Sequence, residues 1–182
     1  KSLDTIHARL SKRAFPIHLP IGFEQEINGI VDLINMKAYT YKEFTDHELN
    51  EGEIPADMLD KAKKYRSLLV ENAVAEDEEM LEKYFEVGEE GLSTEEVNQA
   101  IRTAVLTGKF YAVTGGDGRG VIVEKVLDAV NDFLPNPLDG GSIWGTHPKT
   151  GDEVERKSDE AEPFSGLAFK IASDPFVGKL AY

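Results

Sequence analysis

The chain has 182 residues, 20 Lys and Arg against 34 Asp and Glu, and a formal net charge of −14 with His neutral. An apolar fraction of 41% with nine Phe points to a packed core rather than a disordered chain, and the length suits one or two domains of ordinary size. The absence of cysteine excludes a disulfide scaffold, a thiolate nucleophile and any cysteine-ligated zinc or iron–sulfur site.

The chain opens at Lys1 inside a helical pattern of Leu3, Ile6 and Leu10, with no initiator Met, and stops at Leu180-Ala181-Tyr182 inside a strand pattern. Both ends together lead us to expect a fragment of a longer protein. Phe15 to Ile21 is extended, because Pro16 and Pro20 forbid helix and place it at a sheet edge or a strand entrance. Glu26 to Tyr41 reads as a hairpin or meander, with Asn28-Gly29 as its turn signal. From Pro55 the period becomes helical, and Met58, Leu59, Ala62, Tyr65, Leu69 and Ala73 share one face. A shorter helix carries Met80, Leu81, Tyr84 and Phe85.

Ser93-Thr94-Glu95-Glu96 is a capping box opening a helix of Val97, Ala100, Ile101, Ala104 and Val105, which Gly108 stops. Phe110 to Thr114 predicts a buried strand. Gly115 to Gly120 forms a glycine-rich turn, and a helix with Val123, Val126, Leu127, Val130 and Leu134 runs to Pro135. Strand, glycine turn and helix make the tail of an α/β unit. Pro135 to Pro163, rich in Pro, Gly and charge, marks a domain boundary in which Trp144 is expected to be a packing anchor. Phe164 to Ile171 alternates Leu167, Phe169 and Ile171 and predicts the first strand of a new β domain. No internal repeat or low-complexity tract occurs.

Between Glu43 and Glu96, eighteen acids stand against five bases, a balance of −13, so nearly all the net charge belongs to the helical middle. Two readings stay open for it: a solvated helix surface, or an electrostatic docking face for a basic partner. The Glu76–Glu79 cluster lacks the Asp-x-Asp-x-Asp-Gly spacing of a calcium loop. The acidic balance also argues against a broad nucleic-acid-binding surface, which needs clustered Lys and Arg. No apolar run approaches the ~18 residues that span a bilayer, and no secretory signal opens the chain, so a cytoplasmic location and no membrane partner are expected.

Gly115 to Gly120 lies where a phosphate-binding turn would lie. It does not match G-x-x-x-x-G-K-[ST], because Val121 follows Gly120, nor G-x-G-x-x-G. Asp117 would place a carboxylate beside any bound phosphate. Besides a phosphate cradle, two readings remain: a connector needing positive φ, or a loop whose backbone amides contact a base. His7, His18, His47 and His147 form no His-x-x-x-His pair, and no Ser lies in a G-x-S-x-G context. Neither a catalytic residue nor a metal ligand is assigned.

Several stretches resemble a known family in its own order. Gly29 to Ala38 (Gly-Ile-Val-Asp-Leu-Ile-Asn-Met-Lys-Ala) is similar to the G-x-V-D-L-x-x-M-K-A stretch in the insert of bacterial elongation factor G, as are Ile54-Pro55-Ala56-Asp57-Met58 and the helix after them. Val126 to Pro135 resembles the end of that family's GTPase domain. Glu162-Pro163-Phe164-Ser165, Ala168-Phe169-Lys170-Ile171 and Asp174 to Leu180 resemble the start of its second, β-barrel domain.

The resemblance implies an α/β fold: a partial P-loop GTPase domain with an α+β insert subdomain, then the first strand of a β-barrel. It divides the chain into distal GTPase domain at 1–135 with the insert at about 23–107, a linker at 136–161, and the start of the barrel at 162–182. It implies a translational GTPase using GTP, GDP and Mg2+ to move tRNA and mRNA on the ribosome and to aid ribosome recycling. The P-loop, the switches and the N-K-x-D motif would lie before Lys1, so the fragment alone should hydrolyse nothing. Thr114-Gly115-Gly116-Asp117-Gly118 would occupy the place of the Cys-Gly-Ser-Ala-like guanine-contact turn, one residue shorter. Gly116 matches; Asp117 stands for the usual Ser and Gly118 for the usual Ala, with the Gly118 amide still able to serve the base. The acidic insert would meet the C-terminal domain of the ribosomal stalk protein. A ribosomal-protection paralogue and a nucleotide-free acidic interaction module are the alternatives.

Overall fold

A computed structural model of the chain describes residues 2–43, 48–115 and 122–182, the side chain of Gln25 excepted. It divides into two compact units, Lys1–Leu134 and Pro135–Tyr182. It is a mixed α/β protein with five α-helices and small sheets among the described residues. No helix among them is long and apolar enough to cross a membrane.

The first unit begins with helix α1 (Ser2–Arg9), tied to strand β1 (Ala14–Pro16) by His7, which donates from Nε2 to the Ala14 carbonyl at 2.7 Å. The extended segment is two strands, β1 and β2 (His18–Ile21), which belong to different sheets. β2 is the edge of an antiparallel sheet ordered β2, β3 (Gly29–Asp32), β4 (Lys37–Thr40) and β5 (Asn50–Gly52). Pro20 therefore sits where a missing N–H is tolerated.

The meander is present, but its turn is not at Asn28-Gly29. Gly29 opens β3, and a Cβ there would lie 2.5 Å from the Tyr39 carbonyl oxygen, so this glycine permits close strand approach. The turn lies at residues 33–36, where the Asp32 carboxylate accepts from the amides of Ile34 at 2.8 Å and Asn35 at 3.0 Å. An aspartate thus supplies the turn.

Helix α2 (Ala56–Val74) follows Pro55 and packs on α4 (Thr94–Leu106), with the shorter α3 (Glu78–Val87) between them in sequence. Ala62, Leu69, Val70, Ala73 and Val74 of α2 join Val97, Ala100, Ile101 and Ala104 of α4, Val31 and Leu33 in one core. The alanines let the helix axes close, and each fully buried Leu, Val or Ile contributes about 1.5–3 kcal/mol. Leu59, expected on this face, is 36% exposed. Its neighbours Met58 and Ala62 on the same end of α2 do reach the core, so Leu59 lies off the buried stripe.

The capping box is formed: Ser93 Oγ accepts from the Glu96 amide at 3.2 Å, and Glu96 Oε2 from the Ser93 amide at 3.0 Å. Gly108, at φ +69°, ends α4 as expected. Strand β6 (Tyr111–Val113) pairs in parallel with β1, and Phe110 stacks on Phe15 with ring centroids 5.0 Å apart. β6 is not the buried strand expected, since β1 is its one partner among the described residues and Tyr111 is 52% exposed.

Helix α5 (Ile122–Phe133) buries its first and last residues, whereas Val123, Leu127 and Val130 stay exposed along its length, as does Leu134 just beyond it. An apolar groove of about 210 Å3 runs between α5 and β6, lined by Val105, Tyr111, Val126, Val130 and Leu134.

The second unit holds two hairpins, β7 (Ile143–Thr146) with β8 (Glu153–Arg156), and β9 (Ile171–Asp174) with β10 (Gly178–Ala181). So residues 136–161 contain a hairpin, and the strand expected from Phe164 begins only at Ile171. Asp174 Oδ1 turns the second hairpin by accepting from the amides of Phe176 at 2.8 Å and Val177 at 3.0 Å. No residue of this unit is buried; Trp144, expected as a packing anchor, is 66% exposed.

Candidate functional site

Gly116, Asp117 and Gly118, the residues expected to contact guanine, lie outside the described residues, as do Asp46 and His47. The residues on either side of 116–121 are described, and both sides are held by the four-stranded sheet. Before it, Thr114 Oγ1 shares a 2.7 Å hydrogen bond with Nδ1 of His18 on β2. After it, Ile122 is 1% exposed and clusters with Ile30 of β3 and Tyr41, which follows β4. One turn further along α5, Lys125 Nζ lies 4.4 Å from the centre of the Tyr39 ring on β4, and 3.4 Å from Asp128 Oδ2.

His18, Asp32, Asn35, Asn98, Lys125, Asp128 and Asp132 line a polar cleft of about 80 Å3 there. Asp32 is 4% exposed, and besides its two amide partners it accepts from Asn35 Nδ2 at 2.7 Å. Burial lowers the pKa of His18 from its ordinary 6.5; Asp32 opposes this, Lys125 adds to it and Asp128 opposes it. A neutral imidazole at neutral pH follows. Burial chiefly raises the Tyr39 hydroxyl pKa, against the pull of Lys125. Sequence reasoning missed this cluster. His18 and Thr114 are 96 residues apart, and no local spacing links them.

The acidic middle separates into two kinds of carboxylate. Glu89 is paired with Arg66 at 2.9 Å and Glu76 with Lys109 at 3.0 Å. Asp77 caps α3 by accepting from the Met80 amide at 3.1 Å. Glu96 meets Lys83, whose hydrogen bond, with that of the Ser93 amide, holds the Glu96 carboxyl below its ordinary pKa. Glu78, Glu79, Glu82, Glu86 and Glu90 instead face outward on and just after α3. Among them Phe85 is 77% and Val87 47% exposed. This is an acidic helix surface that carries an exposed aromatic ring. Among the described residues no group of three or more His, Asp or Glu is placed to hold a metal ion.

No protein-family model matches the chain. Among solved structures, it is similar to a crystal structure of a Thermus thermophilus protein, ttk003000868, with a TM-score of 0.71 and 26% identity. The match covers 98% of this chain and 24% of that one, so the chain spans about a quarter of the length of the protein it resembles.

Proposed function

We propose that the chain is the distal part of a GTPase domain with its insert, followed by the opening of a β-barrel domain, from an elongation factor G-type translational GTPase. The observation that carries this reading is the parallel pair of β1 and β6. Parallel strands ordinarily belong to larger sheets covered on both faces. This pair stands alone among the described residues, beside an apolar groove and the uncovered face of Val123, Leu127 and Val130. In the proposed reading the remaining strands, with the P-loop and switches, lie before Lys1 and complete that sheet. The second unit supports the same view. Two hairpins without a buried residue are marginal alone, and the rest of a barrel would cover Phe164, Phe169 and Phe176, each exposed here.

The division of labour follows. Residues 116–118 would offer backbone amides to the guanine, and the sheet and α5 would hold that segment. GTP supplies the phosphoryl group and Mg2+ neutralises its developing charge when bound; both would be gripped by residues ahead of Lys1. This chain alone would hydrolyse no GTP. The exposed Phe85 within an acidic field suits docking of a basic surface, which in this reading is the C-terminal domain of the ribosomal stalk protein. A ribosomal-protection paralogue would use the same parts. The same α3 surface favours the second reading, a nucleotide-free acidic interaction module.

The test is nucleotide binding and turnover by the full-length gene product. We expect a fluorescent GDP analogue to bind saturably, to be displaced by GTP and not by ATP, and phosphate release to rise with added ribosomes. Absence of any guanine-nucleotide binding overturns the GTPase reading and leaves the interaction module.

A further inference from the structure

We infer that His147 is a pH-sensitive latch: its neutral imidazole, by accepting two backbone amides, closes the turn of the β7–β8 hairpin, and its protonation opens that turn. The inference goes beyond the proposed function and does not depend on it.

The turn is organised by one residue. His147 to Asp152 join Thr146, the end of β7, to Glu153, the start of β8. The His147 amide donates to the Asp152 carbonyl at 2.8 Å, and its carbonyl accepts from the Gly151 amide at 2.9 Å. Gly151, at φ +79°, supplies the left-handed residue that closes the loop. The His147 ring then turns back on the chain, where Nδ1 accepts from the amides of Lys149 at 3.3 Å and Thr150 at 3.2 Å.

A backbone amide can only donate, so both bonds need a lone pair on Nδ1. The neutral ring protonated on Nε2 has that lone pair. The imidazolium carries a proton on each nitrogen, so both bonds are lost together and three N–H groups are left facing one another. Asp174 turns the other hairpin with the same geometry, accepting from the amides of Phe176 and Val177. Its carboxylate stays an acceptor at neutral and mildly acidic pH, whereas an imidazole ordinarily changes charge between about pH 5 and pH 8.

The charged side chains beside the ring are Lys149 and Asp152 on the loop and Glu153 and Arg156 on β8, two of each sign. Residues 164–167, which line the same groove as the ring, bring none. That groove, of about 650 Å3, is walled by Trp144, His147, Val154, Phe164 and Leu167. Release of the ring on acidification therefore changes the shape of an apolar surface as well as the turn.

The experiment is hydrogen exchange of the peptide spanning 143–156 in the full-length gene product, expressed as protection relative to an unstructured chain at the same pH. His147→Asn keeps an acceptor oxygen near the place of Nδ1 and does not titrate, and His147→Phe keeps a ring without an acceptor. At about pH 8 we expect wild type and His147→Asn to be equally protected, and His147→Phe about three- to tenfold less. At about pH 5.5 wild type should fall to the level of His147→Phe while His147→Asn keeps its protection. Peptides of α4 should not change. Wild-type protection that is the same at both pH values overturns the inference. So does an equal loss in His147→Asn, which would assign the pH dependence to another group, or a His147→Phe variant as protected as wild type at the higher pH.

Discussion

Arg66 Nε lies 2.9 Å from Glu89 Oε1, with the two side chains 14% and 21% exposed, and the same guanidinium donates from a terminal nitrogen to the carbonyls of Leu33, at 2.7 Å, and Ile34. One side chain on α2 therefore joins the turn after β3 to the single turn of 3-10 helix at Glu89–Gly91. The planar fork of arginine serves these acceptors from two separate nitrogens, Nε and Nη1, a spread that the single nitrogen of lysine lacks.

Arg66→Ala should cost about 2–4 kcal/mol, because it leaves two carbonyls without their donor and a largely buried carboxylate with Ser67 Oγ, at 2.6 Å, in place of an ion pair. Arg66→Lys should recover less than half of that, since an ammonium cannot span the same acceptors. Urea denaturation of the 182-residue chain measures both. A loss below about 0.5 kcal/mol for Arg66→Ala would show the contact to be ornamental.

Gly29 and Gly52 make a controlled pair on the same sheet. A Cβ at Gly29 would meet the Tyr39 carbonyl oxygen at 2.5 Å and Thr40 Cγ2 at 2.8 Å, while one at Gly52 would meet nothing within 4 Å. Gly29→Ala should therefore destabilise by about 1–3 kcal/mol, as overpacking does, and Gly52→Ala should stay within about 0.5 kcal/mol. Equal effects of the two changes would refute the steric account.

Those glycines also mark where the sequence was legible. The Ser93 cap and the Gly108 stop depend on neighbours a few residues away, so their residue types announced them. Asn28-Gly29 is a common turn pair, yet the turn went to the buried Asp32 carboxylate, because three N–H groups converge on it. The apolar period of α5 was visible, but periodicity names a face without naming what covers it, and here Leu127 is 56% exposed. The cleft of His18, Asp32, Lys125 and Asp128 was invisible for another reason. It draws on β2, β3 and α5, and no local pattern records such a meeting.

His18 also makes a pH prediction. Burial holds its folded pKa below 6.5, with Asp32 opposing and Lys125 assisting. Between that lowered value and pH 6.5 the unfolded chain binds a proton that the folded chain does not, so stability rises with pH across this window. The contribution is complete above pH 6.5 and fades as pH falls through it toward the folded value. Urea midpoints from about pH 7.5 to about pH 5.5 should fall more for wild type than for His18→Asn, whose amide does not titrate. Parallel curves would disprove it, as would an NMR titration placing His18 at or above 6.5.

Phe85 separates folding from docking. It is 77% exposed on α3, so Phe85→Ala should leave the urea midpoint within about 0.5 kcal/mol of wild type. An aromatic ring centred in a docking surface commonly contributes more than about 1 kcal/mol to binding. In the proposed reading, Phe85→Ala in the full-length protein then weakens ribosome-stimulated GTP turnover several-fold at limiting ribosome, while turnover without ribosomes is unchanged. Glu82→Lys with Glu86→Lys should slow association instead, and the difference from wild type should shrink as salt is raised, because exposed charges steer encounter more than they hold the complex. If Phe85→Ala and the charge reversal both leave turnover unaltered at every ribosome concentration, the acidic surface of α3 is solvated helix and the docking face lies elsewhere.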